Sequence, residues 1–246
     1  MKNLVAYLTS AYPDKNFSID LALAMSENGV DSIELGVPFS DPVADGPVIE
    51  KANHLSLEKG FTFQDLTDIS KAIAPKVDTL WMGYMNPFYH RGMENTVQTA
   101  SNLGISAMII PDLPHEETLV YKDLLSKNGV DIISFVAPTD SHERIATITK
   151  DAKKFIYLVA YAGITGSGQS EDLAKTIDSI RQSTQTPVYV GFGVNEKTAK
   201  DKAKGADGVI VGSAFVDILL KENLTSSQKI DMISVMARNI KESINS

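Results

Sequence analysis

The sequence predicts a single-domain (β/α)8 barrel, which is a closed ring of eight parallel strands surrounded by helices. Three observations favour this fold. A glycine-containing pattern repeats along the chain, short apolar runs alternate with amphipathic segments, and 246 residues is a typical barrel length. An open doubly wound sheet is the alternative. That fold more often has a glycine-rich turn directly after its first strand, where this chain has Thr9-Ser10-Ala11-Tyr12.

The repeated pattern predicts a helix that ends at a glycine, followed by a strand. Asn28-Gly29-Val30-Asp31 resembles Asn128-Gly129-Val130-Asp131, and Gly104 and Gly205 hold the same place in two further copies. Glycine favours the left-handed backbone conformation that ends many helices. The glycines are separated by one or three units of roughly 25 residues, which fits a βα repeat.

Short apolar runs predict the strands, because strands covered on both faces are apolar throughout. The eight runs are Val5–Leu8, Ser32–Leu35, Thr79–Met82, Ala107–Ile110, Ile132–Val136, Ile156–Val159, Val188–Val190 and Val209–Val211. Amphipathic segments predict helices between them, including Glu116–Asn128, Glu171–Arg181 and Lys229–Ile244.

The segment after the second strand is long enough for two helices, near Ile49–Lys59 and Phe63–Ala74. We therefore expect an extra helix there, and little or no helix before the first strand, which starts close to Met1. Nothing in the composition divides the chain, so residues 1–246 are predicted to form one catalytic domain.

Composition excludes several classes of function. A net charge of −8 without a basic stripe argues against nucleic acid as a partner. The absence of cysteine excludes disulfides, thiolate metal sites and a cysteine nucleophile. No apolar run is long enough for a membrane span or a signal peptide, so a cytoplasmic protein is expected. The four histidines lack metal-ligand spacing, and no predicted strand interior carries a Schiff-base lysine.

Two carboxylates are the strongest catalytic candidates. Glu34 ends an apolar strand, where burial raises a carboxyl pKa toward the range useful for proton transfer. Asp45 follows in a loop that contains three prolines, so the two groups can face one substrate from different sides. The alternative interpretations are that Glu34 pairs with a lysine and that Asp45 caps the next helix.

Glycines after the last two strands predict a phosphate site. Gly191-Phe192-Gly193 follows strand 7 and Gly212-Ser213 follows strand 8, the two places where barrels commonly hold phosphate. The alternative is that these glycines only permit tight turns. Tyr84, Phe135 and Phe192 lie near strand ends and are either core residues or the wall of an apolar pocket.

The chain also resembles a known family, the tryptophan synthase alpha subunits. The resemblance rests first on Glu34-Leu35-Gly36-Val37-Pro38-Phe39-Ser40-Asp41-Pro42-Val43-Ala44-Asp45-Gly46-Pro47, a long and specific motif. It extends in the family's order through Tyr84-Met85-Asn86-Pro87, Pro111-Asp112-Leu113-Pro114, Gly163-Ile164-Thr165-Gly166, Gly191-Phe192-Gly193 and Gly212-Ser213.

The resemblance implies a lyase that cleaves indole-3-glycerol phosphate to indole and glyceraldehyde 3-phosphate in tryptophan biosynthesis. It implies that Glu34 performs the acid–base chemistry and that Asp45 accepts a hydrogen bond from the indole N–H. Tyr157 matches a residue that supports this aspartate, and Thr165 matches one that helps to close the site. Tyr7, Met82, Tyr84, Phe135 and Phe192 match indole-pocket positions, whereas Gly166, Gly193, Gly212 and Ser213 match phosphate-binding positions.

The resemblance further implies a partner, the beta subunit, in an alpha2 beta2 tetramer. Asp41, Pro42 and Asn86 match positions near that interface. Pyridoxal phosphate is expected in the partner and no cofactor in this chain. One alternative function is a weakly active allosteric partner of the beta subunit. Another is the barrel synthase that makes the indole substrate, but that reaction relies on barrel lysines that this sequence lacks.

Overall fold

The computed structural model describes residues 1–160 and 169–246, in which parallel strands alternate with helices. The strands form one sheet. They are β1 (Asn3–Thr9), β2 (Ser32–Gly36), β3 (Asp78–Met82), β4 (Ala107–Ile109), β5 (Asp131–Ile132), β6 (Ser134–Val136), β7 (Ile156–Val159), β8 (Val188–Gly191) and β9 (Gly208–Val211).

The sheet closes at the extended segment 131–136, which we call the seam. Its first half, β5, pairs with β4, and its second half, β6, pairs with β7. Between them the Ile133 N–H still donates to the carbonyl of Met108, at 2.9 Å. Since β1 pairs with both β2 and β9, the ring is complete once the seam is counted as one strand. The predicted (β/α)8 barrel is thereby confirmed for the described residues.

Helices cover the outside of the ring. They are α1 (Lys15–Glu27), α2 (Pro47–Glu58), α3 (Phe63–Ile73), α4 (Met85–His90), α5 (Met93–Asn102), α6 (His115–Thr118), α7 (Lys122–Asn128), α8 (His142–Thr149), α9 (Gln169–Ser183), α10 (Ala199–Lys202), α11 (Ser213–Leu219) and α12 (Ser226–Ile244). Both α2 and α3 follow β2, and β1 begins at Asn3, as predicted.

One predicted helix is wrong in its continuity. The segment 116–128 forms the short helices α6 and α7, which are separated by a 3-10 turn at Leu119–Tyr121. Leu119 and Val120 in this turn are exposed rather than packed on the ring. Amphipathic spacing could not reveal the interruption, because these apolar residues fit a continuous helical stripe equally well.

The glycines of the repeated pattern have the conformation that the sequence predicts. Gly29, Gly104, Gly129 and Gly205 have φ angles of 95°, 77°, 65° and 76°. Each lies after the end of a helix, so the chain reverses there and enters the next strand or its approach.

A polar network and an aromatic pair occupy the amino-terminal end of the ring. The Lys154 Nζ lies 2.9 Å from Oδ1 of Asp78, and the hydroxyls of Ser32 and Ser106 each donate to Asp78 at 2.7 Å. Burial acts to raise the pKa of Asp78, but these hydrogen bonds hold it below its ordinary value. Phe155 and Tyr189 stack nearby at 4.5 Å. Polar and aromatic contacts therefore connect neighbouring strands at this end of the barrel.

Within residues 1–160 and 169–246, no helix has both the length and the apolar character needed to cross a bilayer.

Candidate active site

A cavity of about 210 Å³ opens at the carboxyl ends of the strands. It brings together ten of the residues that the sequence singled out: Tyr7, Glu34, Asp45, Met82, Phe135, Tyr157, Phe192, Gly193, Gly212 and Ser213. The carboxylates, the aromatic rings and the glycine turns therefore share one space. This is the end of a barrel at which active sites are found.

Glu34 lies on β2 and points into this cavity. Its side chain is 3% exposed, and Oε2 has no hydrogen-bond partner among the described residues. Burial, followed by the charge of Asp45, raises the pKa of Glu34 to about 8. No lysine pairs with Glu34 within the described part of the chain. The group is therefore a protonated carboxyl at neutral pH, with one buried oxygen that has no partner among the described residues.

Asp45 lies in the loop between β2 and α2. Its Oδ2 is buried and has no partner among the residues described, whereas hydrogen bonding from Tyr84 and Asn53 reaches the carboxyl group. Burial raises the pKa of Asp45 to about 6, against the lowering effect of those two donors. Asp45 does not cap α2, whose N-cap is Gly46 without a side-chain hydrogen bond. At neutral pH this carboxyl is therefore mostly ionised.

Two tyrosines reach the cavity because glycines leave room for them. Tyr7 on β1 crosses Gly36 of β2, and Tyr157 on β7 crosses Gly191 of β8. A Cβ atom at either glycine would overlap the tyrosine ring. Tyr157 also stacks on Phe135, with ring centroids 4.9 Å apart. The wall of the cavity is thus set by pairs of residues on neighbouring strands.

The far end of the cavity is formed by the turns after β8 and β9. Phe192 and Gly193 have left-handed φ angles of 71° and 65°. Gly212 precedes α11 and packs against Ile49 and Tyr7, where a Cβ would come within 3.3 Å of Ile49. The backbone N–H groups of Gly193 and Ser213 have no acceptor among the described residues. Unpaired amides at such turns favour an anion.

Several predicted residues lie elsewhere. Tyr84 is not part of the cavity lining. It lies behind Asp45, where its hydroxyl accepts a hydrogen bond from the Ala44 N–H at 3.0 Å. Asp41 and Asn86 are exposed on the rim, whereas Pro42 is buried. Thr165 and Gly166 lie outside the described residues.

Sequence reasoning missed part of the lining. Ala44, Gly46, Ile49, Ile109, Pro111, Val194 and Ile210 also face the cavity. Ile109, Val194 and Ile210 are in or next to apolar runs and give no signal that separates a pocket wall from a core. Asn53 was also missed, although a polar residue on the buried face of a predicted helix is a detectable signal.

The fold and this cavity define a (β/α)8 barrel enzyme with a carboxyl acid and a carboxylate facing one apolar pocket. Residues 1–245 match the family model described as tryptophan synthase alpha chain. The chain belongs to the tryptophan synthase alpha chain family.

Individual relatives agree with this assignment. The tryptophan synthase alpha chain of Wolinella succinogenes is 59% identical, over 100% of this chain and 97% of the relative. The solved tryptophan synthase subunit alpha from Campylobacter jejuni is 33% identical with a TM-score of 0.88, covering 97% of this chain and 95% of that one. A ligand-free crystal structure of tryptophan synthase from M. tuberculosis is 29% identical with a TM-score of 0.87, covering 100% and 94%.

Proposed function

We propose that Glu34 and Asp45 carry out the reaction of this family, the cleavage of indole-3-glycerol phosphate to indole and glyceraldehyde 3-phosphate. One observation supports the assignment above all. Each carboxyl group has a buried oxygen without a partner in the described chain, and both groups line the same cavity. Such unpaired acids are costly to a fold, and they are concentrated at functional sites.

The first step is a proton transfer to the indole ring. Glu34, protonated because its pKa is about 8, donates its proton to C3 of the ring. Positive charge then develops toward the ring nitrogen. The ionised Asp45 accepts the hydrogen bond of the ring N–H and stabilises this charge in a cavity lined mainly by apolar side chains.

The second step breaks the carbon–carbon bond. Glu34, now a carboxylate, removes the proton of the hydroxyl on the side-chain carbon next to C3. The O–H electrons form the carbonyl of glyceraldehyde 3-phosphate, and the electrons of the broken bond return to the ring. Indole leaves with the proton that Glu34 gave, and Glu34 is protonated again. One carboxyl group therefore serves as acid and then as base.

The rest of the cavity binds the two ends of the substrate. The apolar side chains of Tyr7, Met82, Phe135, Tyr157 and Phe192 form the indole pocket. The amides of Gly193, Gly212 and Ser213 bind the phosphate, together with Gly166 by family likeness. Thr165 helps to close the site. Tyr84 acts from behind Asp45 rather than on the substrate, since the Ala44 N–H occupies its hydroxyl oxygen and leaves its proton to donate.

The proposed partner is the tryptophan synthase beta subunit, which receives the indole in an alpha2 beta2 complex in the cytoplasm. The rim of the cavity supports a contact there, because Asp41 and Asn86 are exposed and Val43, in the same loop as Asp41, is 83% exposed. Pyridoxal phosphate belongs to that partner, and the chemistry proposed for this chain uses no cofactor.

An indole-release assay on indole-3-glycerol phosphate tests the proposal, with and without the beta subunit. The wild-type chain should release indole, and Glu34→Gln should lower kcat by about 10²- to 10⁴-fold while substrate still binds. Asp20→Asn, which makes the same carboxyl-to-amide change at an exposed position on α1, is the control and should keep full activity. Indole release by Glu34→Gln at the wild-type rate would remove Glu34 from the mechanism. No release by the wild type in either condition would favour a purely allosteric role.

A further inference from the structure

Lys202 lies at the end of α10, beside the turn that forms the phosphate end of the cavity. Its ammonium group donates to the backbone carbonyl of Phe192 at 2.6 Å. Among the described residues no carboxylate lies within 4.0 Å of it, and burial lowers the pKa of Lys202. A half-buried cation whose partner is a single carbonyl is unusual, because desolvation disfavours the charge unless something nearby makes use of it.

The bond from Lys202 fixes a particular peptide unit. The Phe192 carbonyl and the Gly193 N–H belong to the same planar trans peptide and point in opposite directions. Because the carbonyl points at the Lys202 ammonium group, the N–H of Gly193 points away from Lys202. Gly193 lines the cavity, and its N–H has no acceptor in the described part of the chain.

The next peptide is held in the same way. The Thr198 hydroxyl donates to the Gly193 carbonyl at 2.8 Å, and the Asn195 N–H donates to that hydroxyl at 3.0 Å. Both carbonyls of the left-handed turn at Phe192 and Gly193 are therefore bound by side chains of the segment that follows. The turn cannot flip a peptide without breaking one of these bonds.

We propose that Lys202 is a positioning residue for the phosphate of the substrate, which it serves by aiming and polarising the Gly193 amide and by adding a positive charge behind it. This inference rests on the proposed function, since it assumes that the phosphate binds at Gly193. A hydrogen bond from an ammonium group polarises the peptide, so the N–H at the other end becomes a stronger donor. The chain as a whole carries a net charge of −8, which makes a local cation more important to a dianion.

The expected effect of Lys202 on phosphate affinity follows from the distance between its charge and the phosphate. The bond to the carbonyl, the width of one peptide and one further hydrogen bond place the charge roughly 8 Å from a phosphate oxygen. At that distance a single positive charge facing a dianion in a water-rich site changes the affinity by roughly 5- to 20-fold.

The reverse reaction separates the two ends of the cavity, because indole and glyceraldehyde 3-phosphate bind as separate substrates. Lys202→Met should raise the KM for glyceraldehyde 3-phosphate by roughly 5- to 20-fold and leave the KM for indole within about twofold. Lys200→Met removes the same charge from an exposed position on the same helix and should change neither KM. Lys202→Arg retains the charge and should keep most of the phosphate affinity. The dependence of this KM on NaCl should be shallower in Lys202→Met than in the wild type.

Binding of inorganic phosphate, measured by calorimetry, gives a readout that does not depend on catalysis. The wild type should bind phosphate more tightly than Lys202→Met by the same factor. Equal phosphate affinity in Lys202→Met and Lys200→Met would overturn the proposal, and so would a loss of kcat with an unchanged KM for glyceraldehyde 3-phosphate. A wild-type chain that binds phosphate but forms no indole would instead overturn the proposed function.

Discussion

Raising the pH above 8 should progressively inactivate the enzyme, because Glu34 then loses the proton that it donates. With a pKa of about 8, Glu34 is about 0.9 protonated at pH 7 and about 0.1 protonated at pH 9. A carboxyl at its ordinary value of 4.5 would be only about 0.003 protonated at pH 7. Burial on β2, together with the charge of Asp45, therefore supplies roughly 300 times more of the acid form at neutral pH. We expect kcat/KM to fall about tenfold per pH unit above 8.

The charge of Asp45 is the second cause of this raised pKa, so the variant Asp45→Asn should move the alkaline limb to lower pH. The assay is kcat/KM for indole release between about pH 6.5 and 9.5 at constant ionic strength. The substrate phosphate ionises near pH 6, so the alkaline side carries the test. A control at each pH is the unfolding temperature, which excludes loss of the fold as the cause.

A kcat/KM that stays flat from about pH 7 to 9.5 would refute the reasoning, since the acid form of Glu34 disappears over that range. A limb that stays in place in Asp45→Asn would show that the two carboxyl groups do not interact.

Three further predictions concern stability and geometry. Glu34→Gln should raise the free energy of unfolding by roughly 3–5 kcal/mol more at pH 8 than at pH 4.5, because the wild-type fold loses stability as the pH rises from the unfolded pKa of Glu34 to its higher folded pKa. Equal shifts of the urea midpoint at both pH values would contradict this prediction. Gly191→Ala should displace the Tyr157 ring, lowering kcat/KM at least about tenfold and the free energy of unfolding by about 1–3 kcal/mol. Unchanged kinetics would mean that the ring has room to shift. Lys154→Met should destabilise the chain by about 1–2 kcal/mol in urea unfolding without changing kcat, and the added substitution Asp78→Asn should recover part of this loss. If the double variant recovers no stability, the Lys154–Asp78 pair is not coupled.

The barrel was predictable because its signals are local. Each glycine of the repeated pattern marks a helix end that requires a left-handed backbone, and an apolar run after it is buried on both faces. The broken helix at 119–121 was not predictable, since Leu119 and Val120 satisfy the helical stripe although they face solvent. Whether an apolar helix face is covered depends on the neighbouring elements, which the local sequence does not report.

The candidate site was predictable to the extent that its residues break a pattern. Glu34 is an acid in an apolar strand, and Asp45 is an acid in a rigid loop. Tyr84 was expected in the pocket lining but lies behind Asp45, because strand alternation stops where the chain turns into α4. Lys202 gave no signal at all. Its partner is a backbone carbonyl ten residues earlier, and no side-chain pattern reports such a bond.

The seam connects substrate binding with closure of the barrel. Each neighbouring strand is held by only half of the segment 131–136, with two residue pairs to β4 and three to β7. Phe135 lies in the half that pairs with β7, and its ring rests on Tyr157 inside the pocket. An indole ring bound against Phe135 would add packing contacts at the seam. Substrate binding in the pocket and closure of the barrel would then stabilise each other.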